Sequence, residues 1–258
     1  MNNAIERLAR LGYGSVGVVY TIIGLFAAAA GLGTGGRIAD RSDAVTFIFR
    51  QPFGRYILLV LAVGLAGYAL WRMVCGIRDS ENCGSDAKGM AIRAGSLLRG
   101  LAYGWIAIEV LRAALRRRRG VSTSEADTRQ WIGRVMDEPF GQWLVAIVGL
   151  YIVGYGAYQV YLAWKGKLER HVHIPRGVLT AISRFGIAAR GVVFLVIGAS
   201  LFFAGTRRDP GEVRGTSGAL RDLASQPFGS HLLTLIGIGL VAYGVYGFLN
   251  ARYRRIRA

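Results

Sequence analysis

Few side chains inside the apolar stretches of this sequence are able to do chemistry, and Glu109 leads them. It has Arg112 one helical turn on and Arg116 about two turns on. A carboxylate deep in a membrane can relay a proton or bind a cation, whereas near the interface it simply pairs with Arg112. Arg99 and Arg190 occupy matching places in two apolar stretches, where a third has Val16. A guanidinium there can meet an anionic ligand or extend its head to lipid phosphates. Glu109, Arg99 and Arg190 are therefore the ligand or ion candidates. His171, His173 and His231 lie in a connector or at a helix start, so no haem or metal set is expected within the bundle. Cys75 and Cys83 are too few for a metal or redox motif. Neither a nucleophile elbow nor a Walker loop is present, and Asp40, Asp43, Glu125 and Asp127 are dispersed, so no catalytic residue and no cofactor is expected.

The elements that must position these residues are membrane helices. Of 258 residues 53% are hydrophobic, the mean hydropathy is +0.37, and the apolar residues collect in blocks near 13–32, 56–76, 95–115, 142–164, 186–206 and 231–250. Each is about the 20 residues that a bilayer crossing needs, with few charges, so the backbone is satisfied within its own helix. A soluble bundle would show polar faces that these blocks lack. The net charge of +17 comes from arginines flanking the blocks, among them the run Arg116 to Arg119. That placement points to anionic membrane lipid as a partner, not nucleic acid. Arg7 and Arg10 before an apolar run ending at Ala27 to Ala30 mimic a cleavable leader, but later copies of the same block argue that it stays as a helix.

Those copies are the most informative feature. Gln51-Pro52-Phe53-Gly54 returns as Glu138-Pro139-Phe140-Gly141 and as Gln226-Pro227-Phe228-Gly229, each just before an even-numbered span. Sixteen residues past the prolines stand Tyr68, Tyr155 and Tyr243, and nineteen past them Trp71, Tyr158 and Tyr246. In the odd-numbered spans Arg10, Arg93 and Arg184 precede Gly12, Gly95 and Gly186, followed by Gly17, Gly100 and Gly191 and then by Tyr20, Tyr103 and Phe194. Small residues follow seven on, at Gly24, Ala107 and Gly198, which puts a smooth stripe on one face where another backbone approaches closely. Pro-Phe-Gly reads as a helix start, proline in the first turn and an aromatic at the interface. The three tyrosines either ring a central cavity or pack as core aromatics. Before each Pro-Phe-Gly, pairs Val45 and Ile48, Ile132 and Val135, and Leu220 and Leu223 form a stripe expected on a short helix lying in the headgroup plane.

The expected fold is thus all-α, six transmembrane helices as three hairpin repeats, 1–80, 81–168 and 169–258. Two crossings per repeat leave all three parallel, related by pseudo-threefold symmetry about the membrane normal.

The pattern Arg-x-Gly-x4-Gly, Gln-Pro-Phe-Gly and Gly-x3-Tyr, three times over, resembles the bacterial membrane proteins that carry the domain of unknown function DUF1206. The resemblance covers nearly the whole chain and implies architecture, six helices in three repeats, without an activity. The middle copy departs most: Glu138 replaces glutamine, and Tyr151 stands where the others have Gly64 and Gly239. Lysine and arginine divide 17 to 15 between the N-terminal side and the other, with all three lysines on the former, which puts both termini in the cytoplasm of a bacterial inner membrane. The functional expectation is a non-enzymatic structural or accessory protein that binds lipid or a membrane-protein partner. The rival is a small channel or transporter along the pseudo-threefold axis.

Overall fold

A computed structural model describes residues 3–34, 36, 38–39, 41–79, 84–115, 125–166 and 177–254. In chain order they form α1 (Asn3–Gly31), α2 (Arg41–Phe49), α3 (Gly54–Arg78), α4 (Ala87–Leu115), α5 (Glu125–Asp137), α6 (Gly141–Lys165), α7 (Val178–Arg207), α8 (Thr216–Ala224) and α9 (Gly229–Tyr253), with a 3-10 turn at Pro210–Glu212. The helices α1, α3, α4, α6, α7 and α9 are long and apolar enough to cross a bilayer, which makes this a multi-pass membrane protein. All six begin before their apolar blocks, α1 at Asn3 and not near residue 13, and α3, α6, α7 and α9 also end beyond them.

Small residues decide which helices pack closely. The closest pairs are α1 with α9, α6 with α7 and α3 with α4, each joining the even-numbered span of one repeat to the odd-numbered span of another. Along α1, Gly17, Gly24 and Gly31 face Gly244, Gly237 and Ser230 of α9, and a Cβ at Gly17 would lie 2.8 Å from the Gly244 carbonyl oxygen. Along α7, Gly191 and Gly198 face Gly156 and Gly149 of α6 in the same way. Residues seven apart return to one helical face every two turns, so three glycines lay a smooth track along the full contact. The expected stripe thus joins different repeats within one chain.

Pro-Phe-Gly is a turn before the helix, which corrects its reading as a first helical turn. Gly54 N–H donates to the Gln51 carbonyl at 2.9 Å, Gly141 to Glu138 at 2.9 Å and Gly229 to Gln226 at 2.8 Å. Phe53, Phe140 and Phe228 take left-handed backbone at φ 60°, 63° and 60°. Proline second and a left-handed residue third define a type II turn, in which the third place ordinarily requires glycine. Phenylalanine accepts that strain three times, and each ring is about four-fifths exposed. The glycine that follows opens the long helix, where a Cβ would collide with the Ile48, Val135 or Ala224 carbonyl of the preceding short helix.

The short helices differ from expectation as well. Val45, Ile48, Ile132 and Leu220 are buried, so the apolar stripes of α2, α5 and α8 face the spanning helices and not the lipid. Their surroundings include Leu58 and Ala62 for α2, and Val145, Ala204 and Val213 for α5.

Candidate functional site

The motif arginines hold helix ends. Arg10 donates through Nη1 to the carbonyls of Ala251 and Arg252 at 2.8 and 2.7 Å. Arg93 reaches Gly76 and Ile77 at 3.0 and 2.9 Å, and Arg184 reaches Ala163 and Trp164 at 2.7 and 3.0 Å. Each therefore closes the last turn of α9, α3 or α6, where carbonyls lack partners in their own helix and the helix dipole favours a cation. The sequence exposed these arginines as a repeat, but their targets lie in a different repeat and gave no local sign.

At mid-helix the repeat aromatics meet. Tyr68 packs edge-on against Tyr103 at 4.7 Å, Tyr243 against Tyr20 at 4.9 Å, and Tyr155 tilts against Phe194 at 5.8 Å. Each pair again joins two repeats. Tyr68, Tyr155 and Tyr243 pack against aromatic neighbours; a cavity of about 10 Å³ is bordered by Tyr20, Arg41, Tyr103, Val16 and Leu65, and by none of these three. A water molecule needs about that much room.

Every one of the three tyrosines carries a guanidinium. Arg190 lies 4.6 Å from the Tyr243 ring centre, Arg99 4.9 Å from that of Tyr155, and Arg72 5.2 Å from that of Tyr68. In the first repeat, where Val16 replaces the arginine of the odd-numbered span, α3 supplies Arg72 from its own next turn, and Arg72 Nε donates to Tyr68 Oη at 3.0 Å. The position of Arg72 is held by Gln159 and Gly247 in the other repeats. Such cation–π contacts contribute roughly 0.5–2 kcal/mol each and keep a charge tolerable away from water.

Arg190 is the most enclosed of the candidates, 5% exposed, and does not extend to lipid headgroups. Its Nε donates to Tyr20 Oη at 3.2 Å and its Nη1 to Gln159 Oε1 at 3.1 Å, with the Phe194 ring centre 4.4 Å from the guanidinium. Arg41, at the start of α2, comes to the same Tyr20 hydroxyl at 3.5 Å. Sequence reading missed Arg41, because a residue flanking a connector carries no periodic sign of turning inward. Gln159 was likewise missed, as one polar residue in an apolar run.

The remaining candidates fall elsewhere. Arg99 Nη1 donates to Tyr155 Oη at 2.8 Å and bridges α4 to α6. Glu109 accepts from Arg112 Nη1 at 2.6 Å, away from the central aromatics, in the ion-pair geometry. Cys75 is buried and His231 exposed. His171, His173, Cys83 and Arg116 to Arg119 lie outside the described residues, as do the side chains of Asp40, Glu125 and Asp127. Among the described residues no group of three His, Cys, Asp or Glu gathers to hold a metal.

The middle hairpin is built differently from its neighbours. Gly64 packs on Leu11 and Ser15 of α1, and Gly239 on Ala189 and Phe185 of α7. At the matching place the Tyr151 hydroxyl presses against Gly95 of α4, so a ring stands where two backbones meet in the other hairpins. The backbones of α4 and α6 accordingly do not pack closely, unlike those of α1 with α3 or α7 with α9. Gly154 faces open space, and Tyr158 is 46% exposed where Trp71 is 2% and Tyr246 5%.

Comparison with known proteins fits this threefold build. The model of the Domain of Unknown Function (DUF1206) matches residues 11–79, 94–166 and 185–254. An uncharacterized protein of Bacillus subtilis (strain 168), YxxB, is 30% identical over 258 residues, covering 98% of this chain and 92% of its own length. No solved structure matches the chain.

Proposed function

The chain belongs to the DUF1206 family, and from that premise we propose that it is a non-enzymatic structural or accessory protein which binds an anionic lipid or a membrane-protein partner at the seam between α4 and α6. The observation that carries this reading is the propped hairpin: Tyr151 holds the two helices apart, and Gly154 and Tyr158 face outward where their counterparts are buried. In a bilayer such a seam is filled by an acyl chain or by another helix, and the Arg99 guanidinium beside it favours a partner with negative charge. The proposal includes a bacterial cytoplasmic membrane with both termini on the cytoplasmic side, three repeat units at 1–80, 81–168 and 169–258, and pseudo-threefold symmetry about the membrane normal. That symmetry is supported by the arginine caps and the aromatic pairs, each of which occurs three times. An axial channel, the rival, requires the packed tyrosines to leave the centre.

The test is native mass spectrometry of protein released gently from its own membrane, combined with a photocrosslinking residue at position 158, 71 or 246. A stoichiometric lipid or protein adduct that maps to 158 and not to 71 or 246 supports the reading and identifies the partner. A bare monomer, with label at 158 no stronger than at the lipid-facing position 147, overturns it, and solute flux in liposomes becomes the next measurement.

A further inference from the structure

We propose that the cleft between the Pro-Phe-Gly turn of the middle repeat and the end of α7 holds the phosphoethanolamine headgroup of a membrane phospholipid. The cleft has a volume of about 500 Å³ and is bordered by Asp137, Glu138, Phe140 and Gln142 on one side and by Arg208 and Pro210 on the other. Sites for small molecules run from about 300 to 1,000 Å³. Both walls are fixed. Gly141 N–H closes the turn on the Glu138 carbonyl at 2.9 Å. Opposite, the Asp209 carboxylate accepts from Gly211 N–H at 2.8 Å, and Arg207 pairs with Glu212 at 2.7 Å. The α6 span starts at Gly141 and the α7 span stops at Arg207, so the cleft lies where two crossings leave the apolar core. Trp143, in the first turn of α6, is exposed, as tryptophan often is at the headgroup boundary. What reaches the cleft from the bilayer at that height is a headgroup and not an acyl chain.

Charge selects the headgroup. Asp137-Glu138 stands where the other repeats have Arg50-Gln51 and Ser225-Gln226, so this turn alone carries acids. Both side chains are exposed, and neither carboxylate pairs with another described residue. Arg208 borders the same cleft and donates its Nε to Gln142 Oε1, and its two Nη groups have no partner among the described residues. Opposite charges therefore share one cleft without closing on each other. A ligand that carries both signs satisfies both walls, its ammonium N–H groups donating to the carboxylates and its phosphate oxygens accepting from the Arg208 Nη groups. Phosphatidylcholine has no ammonium N–H, and its quaternary amine is ordinarily held by a cage of aromatic rings. Among the described residues that border the cleft, Phe140 alone is aromatic. Phosphatidylglycerol lacks the cation and brings its negative charge against two carboxylates. A divalent cation suits the acids but meets the Arg208 charge.

The inference does not rest on the α4–α6 seam. It is tested on the full chain, stripped of lipid in detergent and titrated separately with dioleoyl phosphatidylethanolamine, phosphatidylcholine and phosphatidylglycerol. Binding is read by native mass spectrometry and by Tm, since a ligand of the folded state alone stabilises it by mass action. The expected result is a single phosphatidylethanolamine bound at least tenfold more tightly than either other lipid. The double variant Asp137→Asn with Glu138→Gln keeps the helical circular dichroism and binds phosphatidylethanolamine no better than phosphatidylcholine. Arg208→Gln also keeps the fold and weakens phosphatidylethanolamine at least tenfold. Tyr151→Gly, which alters only the seam, retains the preference, so a failed seam leaves this result standing. Equal affinity for the three lipids overturns the inference, as does a preference that survives the double acid variant. Soluble phosphoethanolamine that binds when the lipid does not overturns the lipid as its source. A rise in Tm with magnesium chloride that matches the lipid's and is lost in the acid variant overturns it too, and makes the cleft a cation site.

Discussion

The first and last hairpins close on glycine, while the middle one stands open on tyrosine. At equivalent places Gly64 and Gly239 let a neighbouring helix come against the backbone, and Tyr151 keeps it at a ring's length. Everything along that face follows: Trp71 and Tyr246 are sealed, and Tyr158 is turned out. The contrast teaches that one residue type, at one place in a threefold pattern, sets whether two crossings form a solid wall or a slot. It also separates two kinds of contact in the molecule. The arginine caps between different repeats recur in all three copies, whereas the contacts within a hairpin vary.

That comparison can be broken most decisively at the glycine tracks. Gly17→Leu places a side chain against the Gly244 carbonyl and is expected to cost more than about 4 kcal/mol, leaving no folded protein in size-exclusion profiles. Gly154→Leu, which meets open space, stays within roughly 0.5 kcal/mol of wild type by thermal melting. Equal damage from both would mean that the seam is closed. Next in size, Trp71→Ala leaves a buried void and loses about 3–5 kcal/mol, against less than about 1 kcal/mol for Tyr158→Ala. The arginine caps sharpen the other half of the contrast: Arg10→Gln, Arg93→Gln and Arg184→Gln are each expected to lose about 1–2 kcal/mol, in near-equal amounts, in denaturant titrations. Sharply unequal losses would show that the contacts between repeats vary as well. The smallest energetic effect but the clearest geometric one belongs to Tyr151→Gly. Spin labels on α4 and α6 should approach by about 2–3 Å as the helices settle towards an ordinary packing distance. An unchanged separation would show that the tyrosine fills a gap set by something else.

Much of this build was legible in the sequence because it is written locally. Hydropathy marks the six spans, and spacings of seven mark the glycine faces. The departure at Tyr151 was visible against Gly64 and Gly239, although its consequence required seeing Gly95 opposite. What escaped depends on contacts between distant segments. Nothing near Arg10 says that it caps α9, some 240 residues away. Pro-Phe-Gly looked like a helix start because proline suits both a first turn and the second place of a type II turn, and only the backbone angle at Phe53 separates them. The stripe of α2 fits lipid as well as it fits protein, since both are apolar. For Arg190 the sequence leaves both an anionic ligand and a lipid headgroup open, because the rings and amide that shelter it come from three other helices.

The pairing of α1 with α9 has a consequence for how the protein is made. The glycine track of the first helix fits a partner that begins nearly 200 residues later, at Gly229. At about 5–20 residues per second, synthesis leaves α1 waiting roughly 10–40 s in the membrane before that partner leaves the ribosome. During that interval its bare glycine face is open to any other small-residue helix nearby. A nascent chain of this kind is exposed to mispairing until α9 arrives, and the insertion of α9 is also the step that locks α1.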